Sequence, residues 1–191
     1  MMVSKYQLFV DKWKGGCGAR ICQEANRICL ARGQVPCDVL FCGEAPGESE
    51  DVIGSPFVGP AGQLLDHVIC QALPDTVRYA ITNLVGCIPR DDEGQKTIEP
   101  DDESVEACKP RLVEFIELCN PKLIVCVGNL ARNWLDPGFK HSHKLHKKIP
   151  QIHVYHPAYI LRCNIAQRGL LIQRVIIQMR SAYEEYVNAK I

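Results

Sequence analysis

The chain has 191 residues, 47% of them hydrophobic, and its 22 basic and 22 acidic side chains cancel to a formal net charge of zero. That length supports one sizeable core, so a single domain over residues 1–191 is expected. No apolar run approaches a membrane span, and residues 1–13 carry Lys5, Asp11 and Lys12 in place of a signal-peptide apolar stretch; a cytoplasmic protein without a membrane partner is expected.

Four short apolar runs, at 39–42, 79–84, 123–128 and 152–155, predict buried parallel strands. Residues 62–73 have apolar side chains at helical spacing. Residues 101–119 open with acids, as a helix N-terminus favours, and turn Val105, Leu112, Val113, Phe115 and Ile116 toward a core. Residues 164–187 close the chain as a long amphipathic helix. Alternating strands and helices predict an α/β fold, a three-layer α/β/α sandwich with a central four-stranded parallel sheet. Each strand runs into a polar or Gly/Pro-rich segment, at 43–47, 83–90, 128–129 and 156–162, so four loops converge on one cleft at the strand C-termini. Residues 91–102 read as a polar loop.

The neutral total conceals an asymmetry. Residues 91–117 are rich in acids, whereas 138–182 contain no Asp or Glu and hold Lys140, Lys144, Lys147, Lys148, Arg162, Arg168, Arg174 and Arg180 with five of the six histidines. A phosphate-facing surface needs such a stretch. Eleven cysteines, an odd number, fit a closed disulfide framework poorly. Ligation of a metal or cluster by a subset is the better explanation. The others read as small buried hydrophobes, among them Cys42 and Cys126 in apolar runs and Cys70 and Cys119 in helices.

Three segments carry chemistry. The first is Gly43-Glu44-Ala45-Pro46-Gly47-Glu48-Ser49-Glu50-Asp51, followed by Gly54-Ser55-Pro56-Phe57-Val58-Gly59-Pro60-Ala61-Gly62-Gln63-Leu64-Leu65-Asp66. Glycines and a proline directly after a strand make a tight turn whose amides can approach a ligand, and acids clustered in a cleft do chemistry or bind cations. In the second, Ile81-Thr82-Asn83-Leu84-Val85, a side-chain amide that donates and accepts together stands at a strand end. The third is His156-Pro157-Ala158-Tyr159-Ile160-Leu161-Arg162, after the fourth strand.

Together these segments resemble the iron–sulfur-containing family 4 uracil-DNA glycosylases along nearly the whole chain. The resemblance implies hydrolysis of the N-glycosidic bond of uracil in DNA, leaving an abasic site for base excision repair. The loop with Gly43 and Ala45 would cradle the extrahelical base and Phe57 would stack on it. Asn83 would read the N3–H and O4 of uracil, a pattern that cytosine inverts. His156 would donate to O2, where charge collects as the bond breaks. Tyr159, Ile160 and Leu161 offer apolar wedge material, with Arg162, Lys147 and Lys148 for phosphates. Family 1 relatives carry a water-activating Asp where this chain has Ala45, so Glu44 and Glu50 are the candidates for orienting water or shaping the pocket, with Asp51 behind them. Covalently trapping relatives have an Arg-Arg-Ile-His loop that is absent here; ordinary turnover is expected.

The resemblance also implies a [4Fe–4S] cluster. Cys87 and Cys108 match its second pair of ligands. Cys22 stands five residues before Arg27, as the second N-terminal ligand does in the family, and Cys17 is the natural first, although the spacing is Cys-x4-Cys instead of Cys-x-x-Cys. Cys29 and Cys37 stand as substitutes for Cys17, and zinc on the same thiolates is the chemical alternative. The expected partner is uracil-containing DNA, single- or double-stranded, met by a monomer near the nucleoid. The competing functions are a glycosylase for another damaged or modified base, and a catalytically weak DNA-binding iron–sulfur protein of the same fold. A zinc deaminase is disfavoured by the lack of a His-x-Glu with Pro-Cys-x-x-Cys pairing.

Overall fold

The computed structural model describes residues 4–135 and 149–189. Its strands are β1 (Arg32–Gly33), β2 (Val39–Gly43), β3 (Tyr79–Asn83), β4 (Leu123–Val127) and β5 (Gln151–Val154), hydrogen-bonded in the order β1-β3-β2-β4-β5. The four apolar runs are the parallel strands β2 to β5, with Val39 opposite Tyr79 and Leu123, and Val125 opposite Ile152. The sheet nevertheless has five strands instead of the four expected. β1 pairs antiparallel with β3, Arg32 opposite Ile81, and two residues are too few to show a periodicity. Gly33 there takes φ +101°, and a Cβ on it would strike the carbonyl of Tyr79.

Both faces of β2, β3 and β4 are buried, which is why these central strands are largely apolar, whereas the edge strand β5 is mostly half-buried. Leu40, Cys42, Ile124 and Cys126 face one core; Val39, Phe41, Val125 and Val127 face the other. The first core is closed by α1 (Lys5–Trp13), α5 (Asp102–Cys119) and α6 (Asn129–Leu135), through Phe9, Phe115 and Trp134. The second is closed by α4 (Pro60–Ala72), α7 (Pro157–Arg162) and α8 (Ile165–Tyr183), through Leu65, Ile160 and Met179. Two short helices, α2 (Arg20–Glu24) and α3 (Glu48–Ile53), lie in the N-terminal arm and directly after β2. The three layers are therefore helix, sheet and helix.

Helix ends follow local chemistry. Asp101 caps α5 by accepting from Ser104 N, and Asn120 stops it in the left-handed region; Asn164 caps α8 by accepting from Gln167 N. In α5 the inward stripe contains Val105, Leu112, Phe115 and Ile116 as expected, but Val113 is only half-buried and Arg111 is fully buried. Cys42, Cys119 and Cys126 are buried; Cys70, expected to be buried, is exposed. No helix among the described residues is long and apolar enough to cross a membrane.

β2 has β3 on one side and β4 on the other, so the chain reverses its direction of travel across the sheet between β2 and β4. The loops leaving their carboxyl ends part, and a crevice opens between them. That crevice is the candidate site.

Candidate functional site

A cleft of about 780 Å³ opens at the carboxyl ends of the strands. Its walls come from 44–47 after β2, from Gly128, Asn129 and Leu130 after β4, and from Tyr155, His156, Tyr159 and Arg162 after β5, with Phe57 and Ala61 beside them. The segment after β3 contributes by a route the sequence did not announce. Arg90 and Thr97 form an isolated bridge, the Arg90 guanidinium forks onto Glu48, and Thr97 Oγ1 donates to Glu48. The loop at 91–102 thus doubles back and brings Thr97, Ile98 and Glu99 into the cleft wall.

Phe57 sits on a strained turn. Its φ is +55°, a region costly for a bulky residue, on the order of 1–3 kcal/mol, and its ring is only 5% exposed. Several neighbours hold it there. Arg32 donates through Nε to Pro56 O (2.8 Å) and through Nη2 to Phe57 O (3.0 Å), and pairs with Asp66 at 2.6 Å. Glu50 Oε1 accepts from Val58 N at 2.8 Å and Gly59 N at 2.7 Å, while Oε2 accepts from Gly47 N at 3.1 Å. Gly62 lacks the Cβ that would collide with the Phe57 backbone. Arg32 belongs to the strand that sequence periodicity missed.

The ring of Phe57 lies against Gly43 and 5.9 Å from the ring of His156, centroid to centroid. Gly43 pairs with Asn83 across β2 and β3, and a Cβ at Gly43 would collide with the Phe57 ring and come within 2.5 Å of Asn83 Oδ1. Only glycine fits between them. Asn83 is 1% exposed, and neither Nδ2 nor Oδ1 has a hydrogen-bond partner. A buried unpaired amide costs roughly 1–3 kcal/mol per group, and this one leaves a donor and an acceptor side by side for a ligand to pair. The Asn83 backbone is fixed from behind: Arg111 Nη2 donates to Asn83 O at 2.6 Å and Leu84 O at 2.9 Å, and Nη1 to Leu30 O and Thr82 Oγ1.

His156 caps α7, its Nδ1 accepting from Ala158 N at 3.2 Å. That bond assigns the proton to Nε2 in the neutral ring. Burial, with the Arg162 charge adding to it and Glu50 opposing, lowers its pKa to about 4, so the neutral form prevails at physiological pH. Glu44 is half-buried in the same cleft, and burial followed by the nearby Glu99 pushes its carboxyl above the ordinary range. Glu50 has both oxygens committed to backbone amides and acts as a brace. Asp51, fully buried, accepts from Asn26 N and Nδ2 and from Arg27 N, tying the N-terminal arm to α3. Ala45 lines the cleft as a small residue. Tyr159 and Arg162 stand at the mouth, whereas Ile160 is buried in the core and not available as a wedge. His153, expected at the surface, is half-buried in the cleft wall. Lys147 and Lys148 lie outside the described residues.

A second site lies behind β3. The Sγ atoms of Cys17 and Cys22 are 3.5 Å apart, Cys17 and Cys108 3.2 Å, and Cys22 and Cys87 2.8 Å. Cys17, Cys22 and Cys108 have all three ligand atoms within 4.8 Å of one another. Cys29 instead donates to Glu50 O, and the Cys37 amide bonds to Cys119 O. The crowding discourages ionisation: the Cys108 thiol is pushed up by Cys22 beside it and by burial. A bound cation would reverse that preference, and an all-thiol donor set suits zinc or iron–sulfur chemistry.

The family model of the uracil DNA glycosylase superfamily matches residues 31–180. A type-4 uracil-DNA glycosylase from Archaeoglobus fulgidus is 34% identical over 143 residues, 68% of this chain and 69% of that one. One from Thermotoga maritima is 30% identical over 161 residues, 80% of this chain and 79% of the other. One from Saccharolobus solfataricus is 35% identical over 123 residues, and there the match spans only 55% of the relative. The crystal structure of SMUG2 from Pedobacter heparinus superposes with a TM-score of 0.55 at 14% identity, over 78% of this chain and 76% of that one, which is a likeness of fold. The chain therefore belongs to the uracil DNA glycosylase superfamily, alongside its type-4 members.

Proposed function

We propose that this protein hydrolyses the N-glycosidic bond of uracil in DNA and leaves an abasic site, acting as a monomer in the cytoplasm. The observation that carries the proposal is the unpartnered Asn83 amide, buried beside Gly43 and the Phe57 ring, where Phe57 and His156 line the cleft. Uracil rotated out of the helix stacks on Phe57; Asn83 Nδ2 donates to O4 and Oδ1 accepts from N3–H. His156 Nε2–H donates to O2. As the bond from C1′ to N1 breaks, its electron pair leaves with the base, and this donor stabilises the growing charge more than the ground state. Removing such a donor costs on the order of 10²- to 10³-fold in rate.

The sugar left behind is cationic and reacts with a weak nucleophile, so water adds at C1′ and passes its proton to solvent, from which the departing uracil anion is protonated, without a strong base. Glu44 is the carboxylate placed to stabilise that cation and orient the water; Glu50 positions the Phe57 turn. This division fits Ala45, which can do neither. Arg162 serves the phosphates at the cleft mouth, joined in the proposal by Lys147 and Lys148.

Cys17, Cys22, Cys87 and Cys108 are proposed to hold a [4Fe–4S] cluster. These cysteines would tie the N-terminal arm, the segment after β3 and α5 together around the bound group, and hydrolysis needs no electron from it. Zinc on the same thiolates is the second reading, favoured by the close grouping of the Cys17, Cys22 and Cys108 sulfurs. Visible absorbance and an iron-to-zinc assay on purified protein distinguish the two.

The function is tested with oligonucleotides carrying one uracil, a mispaired thymine, hypoxanthine or a modified pyrimidine, followed by alkali to reveal abasic sites. Strand breaks confined to the uracil substrate are expected. Release of another base alone would assign the pocket to that base, and binding without breakage of any substrate would contradict an enzymatic role.

A further inference from the structure

The outer rim of the cleft carries an arrangement that gripping uracil does not require. Tyr159 is 47% exposed, and its ring stacks on that of Tyr155 with centroids 5.8 Å apart and planes at 23°. The guanidinium of Arg174, from α8, lies 5.8 Å from the centroid of the Tyr155 ring. Both tyrosines line the cleft, and Arg174 also lines a shallow groove along α8 with Leu170 and Ile177, which are 74% and 64% exposed. The residues of this groove bear one positive and no negative charge, and no acid stands anywhere in 138–182. A surface of aromatic faces, a guanidinium and apolar side chains, linked to the cleft through the Tyr155–Arg174 contact and with no carboxylate in the groove's lining, suits a nucleic-acid strand with its bases exposed.

We propose that the Tyr159, Tyr155 and Arg174 ladder is a second nucleobase subsite, taking a base of the single strand that flanks the extrahelical uracil, with the α8 groove as the path of that strand. The inference rests on the uracil-excision reading for the location of the target nucleotide. Tyr159 supplies the open stacking face. Tyr155 backs it, and Arg174 supports Tyr155 from α8 while offering its charge to a phosphate. A different role for Tyr159, as a wedge filling the space the uracil leaves in a duplex, predicts a dependence on the opposite strand instead.

The test uses the full-length protein, short single strands with a central deoxyuridine, and versions in which the nucleotide on the 5′ or the 3′ side is replaced by an abasic tetrahydrofuran. Matching duplexes form a further arm. Tyr159→Ala is expected to raise KM roughly tenfold on single strands with both flanking bases, the order found for loss of one base–aromatic stack. That loss should vanish when the flanking base on one side is absent, and Tyr159→Phe should behave as wild type. Arg174→Gln should weaken binding by a smaller factor and reduce the salt slope by about 0.7, one single-strand phosphate contact. Affinities for strands carrying non-hydrolysable 2′-fluoro-deoxyuridine are measured in parallel. Wild-type protein that releases no uracil would remove the functional reading, while those affinities still report on the subsite. An equal Tyr159→Ala loss with and without flanking bases, or a loss confined to duplexes, would overturn the proposal.

Discussion

The cleft and the cysteine site draw on neighbouring stretches of chain at the end of β3 and leave opposite kinds of chemistry unfinished. Asn83 ends β3 on the cleft side, and Cys87 follows four residues later in the cysteine site. At the cysteines, donors from distant parts of the chain crowd together, with Sγ atoms 2.8–3.5 Å apart. Beside the cleft, behind Gly43 and the Phe57 ring, a buried amide has no hydrogen-bond partner. The first arrangement concentrates ligands and holds segments together once a metal group is present. The second leaves a donor and an acceptor free for the proposed substrate. Arg111, 1% exposed, stands between the two: one helical turn beyond Cys108, it holds the Asn83 and Leu84 carbonyls. The comparison therefore predicts that damage at the cysteines appears mainly as lost stability and damage in the cleft mainly as lost rate.

The largest effect is expected from stripping the metal group. Several kcal/mol of folding free energy should go with it, lowering Tm by more than about 10 °C in calorimetry. Cys29→Ser, whose native thiol meets only a carbonyl, should retain the metal and shift Tm by a few degrees. Equal losses from the two treatments would erase the distinction. Next in size, His156→Ala should slow single-turnover excision about 10²- to 10³-fold with Tm little changed. Because the wild-type imidazole stays neutral down to about pH 4, no step in the rate is expected near pH 6.5, where a free histidine titrates.

Glu44→Gln should cost roughly ten- to a hundredfold, by loss of one charge near the cationic sugar. Its pH dependence has a definite sign. In the proposed reaction the ionised carboxylate is the active form, and its pKa is raised, first by burial and then by Glu99, so the wild-type rate should fall as pH drops through a value above the ordinary glutamate range. Glu44→Gln should lack that acid limb, and Glu99→Gln should move it to lower pH. An acid limb unchanged in both would remove Glu44 from the reaction. The smallest effect is expected at the brace of the Phe57 turn. Arg32→Ala should weaken uracil-DNA binding about five- to tenfold, near 1 kcal/mol, and the penalty should disappear in a Phe57→Ala background. Additive losses would mean that Arg32 acts elsewhere.

The four parallel strands were legible because strands covered on both faces read as continuous apolar runs. Helices α4, α5 and α8 carried enough turns for a periodicity. β1 and the short helices α2, α3, α6 and α7 did not, since their formation depends on caps, glycines and tertiary contacts. Of the residues expected from motif resemblance, Phe57 and His156 line the cleft, and Gly43 and Asn83 are buried beside the Phe57 ring. The braces behind them were not legible. Arg32 and Arg111 act on backbone carbonyls, which have no sequence signature, and Glu50 looked like a free acid because its amide partners, at Gly47, Val58 and Gly59, are fixed only by the turn. Thr97, Ile98 and Glu99 reach the cleft through the fold-back at Arg90, and a polar loop gives no hint of that path.

The unpaired amide is the center of this account, and Asn83→Ala tests it most directly. Single-turnover release of uracil should fall at least about 10²-fold, the scale set by losing paired recognition at a buried polar site. Metal content and Tm should not fall with it, because the amide has no native hydrogen bond to lose. A variant that excises uracil within a few-fold of the wild-type rate would contradict the account.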